Sequence, residues 1–219
     1  MIYLIFLLLE IVILYHLSRR LFQSVFHFIY QVTRRKGLSA YIFALLFLPG
    51  TFIHEMSHFL AALFLLVPTG ELRLIPKFNE KGHIDLGSVL IAKTDPVRRF
   101  LIGISPFIFG SVIIITVLYF VSMNRFIDTW WGNILAGLII FEVGNSMFAS
   151  KKDLEGTVIL FIFTLFVIAF LYLLDIRIPI SLSDLSFNQS TLEIFKNANI
   201  FLLVPIVIDA GVLLLFKKL

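Results

Sequence analysis

Two histidines and a glutamate form the most chemically distinctive pattern of this chain, in the segment His54-Glu55-Met56-Ser57-His58. Residues four apart share one face of a helix, so His54 and His58 can both turn a ring nitrogen towards one metal ion. Glu55 lies beside that face, where a carboxylate can accept a proton from water without itself being a ligand. The spacing therefore predicts a zinc site with an adjacent general base, the arrangement of a metal-dependent hydrolase.

The apolar surroundings of this pattern favour a function for it. Residues 38–67 carry no charge apart from Glu55. A purely structural explanation has both histidines hydrogen-bonded to other helices, with Glu55 as an incidental neighbour. Burying three such groups in hydrocarbon costs on the order of several kcal/mol, and ionisable residues inside membrane segments usually serve a function.

The composition is that of an integral membrane protein. The chain has 219 residues, of which 59% are hydrophobic, and a mean hydropathy of +1.00. The net charge of +4 comes from basic residues between the apolar runs, which form no continuous basic face, so we expect no nucleic-acid binding. Because the chain has no cysteine, zinc ligands must be histidine and carboxylate.

The apolar runs predict an all-α polytopic membrane protein with about six transmembrane helices, forming one integral-membrane domain over residues 1–219. Residues 1–17 lack a basic start and a small-residue cleavage site, so we interpret them as a retained span. Pro49 and Gly50 predict a bend before the metal motif, and Pro205 predicts a break in the last span. The six predicted spans are 1–17, 38–67, 100–124, 130–150, 156–174 and 200–216.

Three connecting segments have their own character. Residues 18–37 are amphipathic and basic at both ends, which predicts an interfacial helix or an extension of the first span. Residues 71–93 read as two short strands around a glycine-containing turn, a small β-hairpin after the motif helix. Residues 175–199 are polar and predict an external loop with one short helix.

Two histidines leave a tetrahedral zinc ion one protein ligand short, with the fourth position open for water. Glu142 is attractive because it would complete a set of two histidines and one glutamate. Asp153 can alternatively be explained as the N-cap of a following helix. The candidates for the third ligand are Glu10, His83, Glu142, Asp153 and Asp209.

Asn145 precedes Asp153 by eight residues, in a segment that follows the metal motif, the predicted hairpin and one uncharged span. In this order of parts the chain resembles the site-2 protease family of intramembrane zinc metalloproteases over residues 38–174. That family pairs His-Glu-x-x-His in one membrane helix with Asn-x-x-Pro-x-x-x-x-Asp-Gly in a later one. Here Phe148 stands in place of the proline and Leu154 in place of the glycine.

The resemblance implies that Asp153 completes the zinc site, with Glu142 as the alternative ligand, and that Asn145 holds the substrate backbone. It also implies cleavage of membrane-spanning or membrane-proximal protein substrates within the lipid bilayer, with Glu55 as the catalytic base. Two other functions stay open. One is an inactive relative that keeps its zinc, and the other is a metal or ion transporter lined by the histidines and Glu10, Glu142 and Asp209.

The distribution of basic residues predicts an orientation for the chain. If both termini, residues 68–99 and residues 150–155 share one side of the membrane, that side carries ten lysines and arginines against eight on the other. The positive-inside tendency then places the hairpin and Asp153 in the cytosol, with the zinc site nearer the cytosolic face.

Overall fold

The computed structural model describes residues 2–78, 84–123, 129–148, 153, 162, 165–166 and 189–216. These residues are mostly helical, with a small β-structure after the third helix. The helices are α1 (Ile2–Thr33), α2 (Lys36–Leu46), α3 (Leu48–Phe64), α4 (Pro96–Met123), α5 (Trp130–Ser146) and α6 (Gln189–Phe216). The strands are β1 (Thr69–Arg73), β2 (Lys77–Phe78), β3 (Ile84–Asp85) and β4 (Ser88–Ile91).

Within the described part of the chain, three helices are long and apolar enough to cross a membrane. They are α1, the portion Pro96–Val117 of α4 and the portion Ala198–Phe216 of α6, and the bent pair α2 and α3 makes a fourth if it counts as one span. Helices of this kind indicate a membrane protein. Of the predicted span 156–174, only residues 162, 165 and 166 are described, so six spans stay a prediction.

α1 runs without interruption through the predicted first span and most of the amphipathic segment 18–37, which therefore extends that span. The buried side chains of Leu21 and Val25 explain why, because they form a core cluster with Phe43 and Phe47 of the following segment. α1 ends where Arg34 adopts a positive φ of 56°. The Thr33 and Ser39 hydroxyls then lie 2.7 Å apart, linking α1 to α2.

The predicted motif helix 38–67 is two helices, because α2 and α3 meet at Phe47 with a bend of 74°. The bend predicted from Pro49 and Gly50 is confirmed. Proline is tolerated in a first helical turn, where its missing N–H has no helical acceptor. Gly50 allows α3 to approach α5 closely, since a Cβ on Gly50 would lie 2.6 Å from the Glu142 carbonyl oxygen.

The predicted hairpin is present as two antiparallel ladders, β1 with β4 and β2 with β3. Leu72 of β1 pairs with Val89 of β4, and Arg73 pairs with Ser88. In the second ladder Lys77 of β2 pairs with Asp85 of β3. The predicted turn and His83 lie outside the described residues. The hairpin therefore connects α3 to α4 by β-structure.

α6 begins at Gln189 and continues through Pro205 to Phe216, so the predicted break at Pro205 is wrong. The last part of the predicted loop 175–199 is likewise helical from residue 189, while residues 175–188 lie outside the described part. The Pro205 ring packs against Gly144 of α5, where an added Cβ would stand 3.2 Å from the ring. Packing of a neighbouring helix commonly supports a proline in a membrane helix.

α1 and α6 run parallel to each other along most of their length. Asn199 Nδ2 donates to the Tyr3 carbonyl at one end, and the rings of Phe28 and Phe216 lie 5.1 Å apart at the other. Ile2 and Phe216 therefore lie at opposite ends of this helix pair. The expectation that both termini share one side of the membrane does not agree with a parallel pair in which both helices cross.

Candidate metal centre

The two histidines of the motif project from one face of α3, a single turn apart. Their Nε2 atoms lie 3.2 Å from each other, and the rings meet edge to face with centroids 4.8 Å apart. His58 is buried, with 4% of its surface exposed. The predicted convergence of both rings on one point is therefore present.

Backbone carbonyls orient both imidazoles. His54 Nδ1 bonds the Ser146 carbonyl at the end of α5, and His58 Nδ1 bonds the Ile102 carbonyl of α4 at 2.8 Å. Because a carbonyl oxygen can only accept, each Nδ1 carries a proton, and a neutral ring in this orientation keeps its lone pair on Nε2. Two such lone pairs 3.2 Å apart repel each other unless a cation lies between them, and outer hydrogen bonds of this kind are typical of metal-binding histidines.

Asp153 is the third member of the group. Its Oδ2 lies 3.6 Å from His54 Nε2, and its Oδ1 lies 3.3 Å from His58 Nε2. Zinc–ligand distances of 2.0–2.2 Å in a tetrahedron place neighbouring ligand atoms about 3.3 Å apart. The two Nε2 atoms have this spacing, and each lies near it from one Asp153 oxygen, so the three residues could hold a metal ion.

A glycine on α4 admits Asp153 to this position. A Cβ added to Gly103 would lie 1.9 Å from the Asp153 carbonyl oxygen, so no larger residue fits without moving the backbone. The preceding residue, Ile102, supplies the carbonyl that orients His58. One turn of α4 therefore contacts both a histidine and the carboxylate residue.

The hairpin passes directly over Glu55. A Cβ on Gly87, between β3 and β4, would lie 2.8 Å from Glu55 Cγ and 2.9 Å from Thr51 Cγ2. Glu55 itself is half-buried. The carboxylate next to the metal-binding face thus lies between α3 and the strand segment that leads into β4.

Glu142, the alternative third ligand, has a different role here. Its Oε2 accepts a hydrogen bond of 3.2 Å from the Gly50 N–H in the first turn of α3. A carboxylate at that place accepts a hydrogen bond from one of the free N–H groups at the start of the helix. Its negative charge is also stabilised there by the helix dipole. Among the described residues, His54, His58 and Asp153 form the one group of three with metal-ligand spacing.

The remaining carboxylate candidates also lie apart from this group of three. Asp209 is fully buried and accepts a hydrogen bond of 2.8 Å from Asn145 Nδ2. Glu10 is half-buried on α1. His83 lies outside the described residues.

Asn145 of α5, predicted to hold the substrate backbone, is 3% exposed and contacts α6 through Asp209. Its side-chain Nδ2 donates to the Phe141 carbonyl and to the Asp209 carboxylate. Its backbone carbonyl accepts a hydrogen bond from the Ser18 hydroxyl. These contacts give it a structural role between helices, and substrate binding by Asn145 stays a prediction.

Several residues that shape this centre were not identified from the sequence. Gly87 is the clearest, and a glycine beside a predicted site is a signal that backbone passes close by. The carbonyls of Ile102 and Ser146 gave no signal, since every residue has a carbonyl. Comparison with protein-family models, curated proteins and solved structures found no match to this chain.

Proposed function

We propose that this chain is an intramembrane zinc metalloprotease that hydrolyses peptide bonds of membrane-spanning or membrane-proximal proteins. The observation that carries the proposal is the meeting of His54, His58 and Asp153 from distant parts of the chain. Glu55 follows the first of these residues in a helix that has no other charge. A donor set of two imidazoles and one carboxylate suits zinc.

The roles of the residues follow from their positions. His54, His58 and Asp153 would hold the ion, which when bound supplies Lewis-acid activation of water and of the scissile carbonyl. The Glu55 carboxylate accepts the proton of the attacking water and passes it to the nitrogen of the leaving amine. The Ser146 and Ile102 carbonyls keep each Nδ1 protonated and each Nε2 available.

The substrate class follows from the surroundings of the centre. Helices α1, α4 and α6 expose many large apolar side chains that suit a lipid bilayer, so a substrate reaches the centre from the membrane. A membrane helix hides its carbonyls in hydrogen bonds, so it must become extended before cleavage. The hairpin next to Glu55 offers strands to which an extended segment can add.

The decisive experiment is the substitution Glu55→Gln in the purified, zinc-loaded protein. We expect cleavage of a membrane-spanning substrate to fall by at least about 10²-fold, because the general base is lost. Zinc content should be unchanged, since glutamine replaces a residue that is not a ligand. Asp95→Asn is the matched control, because Asp95 is an exposed carboxylate that caps the start of α4. Undiminished cleavage by Glu55→Gln would remove the proposed base.

A second experiment tests the ligand set. Asp153→Ala should lose zinc, whereas Glu142→Ala should keep zinc and weaken the contact between α3 and α5. Loss of zinc from Glu142→Ala alone would assign the ligand to Glu142 instead. Full zinc occupancy of the wild type without turnover of any membrane peptide would favour an inactive zinc-binding protein, which the departures at Phe148 and Leu154 permit.

A further inference from the structure

Asp209 of α6 and Asn145 of α5 form a polar pair in the interior. Asp209 is 0% exposed and Asn145 is 3% exposed. Asn145 Nδ2 donates to Asp209 Oδ1 at 2.8 Å. The two other oxygens, Asp209 Oδ2 and Asn145 Oδ1, are both buried without a hydrogen-bond partner among the described residues.

The two unpartnered oxygens show that this pair lacks a hydrogen-bond donor. Both are acceptors, and no lysine, arginine or histidine in the described part of the chain forms an ion pair with Asp209. A buried, ionised carboxylate with a single hydrogen bond is strongly unfavourable, and buried acids without a counter-charge take up a proton. One proton on Oδ2 changes an acceptor into a donor, and Oδ1 of the bonded amide is a buried acceptor that has no donor among the described residues.

We propose that Asp209 is a proton-binding site, whose neutral carboxyl donates from Oδ2 to Asn145 Oδ1 while accepting from Asn145 Nδ2. In this reciprocal pair each group donates once and accepts once, so both unpartnered oxygens are satisfied. The proton comes from water when the protein folds, and no other group changes its charge. A hard metal cation fits less well, because such ions take about six oxygen ligands and only two are unpartnered here.

The pair also bears on the metal centre, and this second step rests on the proposed function. Asn145 is followed by Ser146, whose carbonyl orients His54. The backbone carbonyl of Asn145 in turn accepts a hydrogen bond of 2.9 Å from the Ser18 hydroxyl of α1. Asp209 therefore acts as a positioning residue, which fixes the last turn of α5 and through it the His54 ring.

The test uses infrared spectroscopy of the full chain in lipid at neutral pH. The wild type should show the carbonyl band of a protonated carboxyl group that the Asp209→Asn variant lacks. Glu71→Gln is the control and should leave that band in place. Identical spectra of the wild type and Asp209→Asn in this region would overturn the proposal, whether or not the chain is a protease.

Two further variants test the pairing and its effect on the metal. Asparagine at 209 can donate and accept as the neutral acid does, so Asp209→Asn should keep the thermal stability and zinc affinity of the wild type. Asp209→Ala leaves Asn145 Nδ2 with its bond to the Phe141 carbonyl but without the carboxyl partner, and should weaken zinc binding by about tenfold, the lower end of the effect of losing a direct outer-shell partner. Equal loss in both variants, or stability that requires sodium ions, would contradict a bound proton. Unchanged zinc affinity in a folded Asp209→Ala would overturn the positioning role alone.

Discussion

At the scale of single residues, the centre depends on small side chains as much as on ligands. Asp153 reaches the histidines because Gly103 has no side chain at the place where the Asp153 backbone passes. Gly50 likewise admits the Glu142 backbone, whose side chain bonds the start of α3. The geometry of the candidate metal site thus depends on two close backbone approaches, of α4 to Asp153 and of α3 to α5.

The substitution Gly103→Ala tests this dependence. Its Cβ would stand 1.9 Å from the Asp153 carbonyl oxygen, so Asp153 must move and its carboxylate should leave the histidines. We expect zinc affinity to fall by at least about tenfold, which metal titration of the purified protein would measure. Gly137→Ala is the matched control, because nothing outside its own helix in the described part of the chain lies within 4 Å of the added Cβ. Equal zinc affinity of the two variants would show that Asp153 is not held by this contact.

The ligand pair was predictable from sequence because His54 and His58 are local. Their spacing alone places both on one face of a helix, whichever helices surround it. Asp153 was predicted through a resemblance, and its position beside the histidines agrees with that prediction. The roles of Glu142 and Asn145 were not predictable, because each depends on which helix lies opposite, at Gly50 in one case and at Asp209 in the other.

At the scale of elements, the bend at Phe47 and the hairpin determine how Glu55 is enclosed. Proline and glycine after Phe47 marked the bend in the sequence, but its angle of 74° follows from packing between α1, α2 and α5. The strands were predicted from their alternation, while the contact of Gly87 with Glu55 was not. A local pattern predicts an element better than it predicts what the element covers.

The substitution Gly87→Ala should impair the base without removing the metal. Its Cβ would come within 2.8 Å of Glu55 Cγ, so either Glu55 or the strand must shift. Misplacing a catalytic group by about 1 Å can cost about 10²-fold in rate, and we expect a loss between 10- and 100-fold with zinc content unchanged. Gly37→Ala in α2 is the control, because nothing among the described residues outside its own helix lies within 4 Å of the added Cβ. A fully active Gly87→Ala would mean that the strand does not constrain Glu55.

The start of α4 gives a prediction about pH. Asp95 Oδ1 accepts the Arg98 N–H at 3.0 Å, and this hydrogen bond holds the pKa of Asp95 below its ordinary value of 3.8. An acid whose pKa is lowered by folding contributes stability above its ordinary pKa and loses it as the pH falls through the folded value. Thermal unfolding should therefore show a steeper loss of stability below pH 3.8 in the wild type than in Asp95→Asn. Parallel pH profiles would indicate that the cap contributes nothing.

At the scale of the whole molecule, the parallel packing of α1 and α6 constrains how these two helices would cross a membrane. The Tyr3–Asn199 hydrogen bond and the Phe28–Phe216 contact fix the direction of both helices. Between them Ser18, Asn145 and Asp209 form a line of polar contacts from α1 through α5 to α6. Charge counting alone could not reveal this direction, because a difference of ten against eight basic residues is small.

The parallel pair predicts that Ile2 and Lys196 face one side of the membrane and Arg35 faces the other. All three side chains are exposed, and the chain has no cysteine, so single cysteines at these positions can be labelled without background. In sealed vesicles of one orientation, a membrane-impermeant maleimide should label Ile2→Cys and Lys196→Cys alike and leave Arg35→Cys unlabelled, or the reverse. Labelling of Ile2→Cys and Lys196→Cys from opposite sides would contradict the parallel pair.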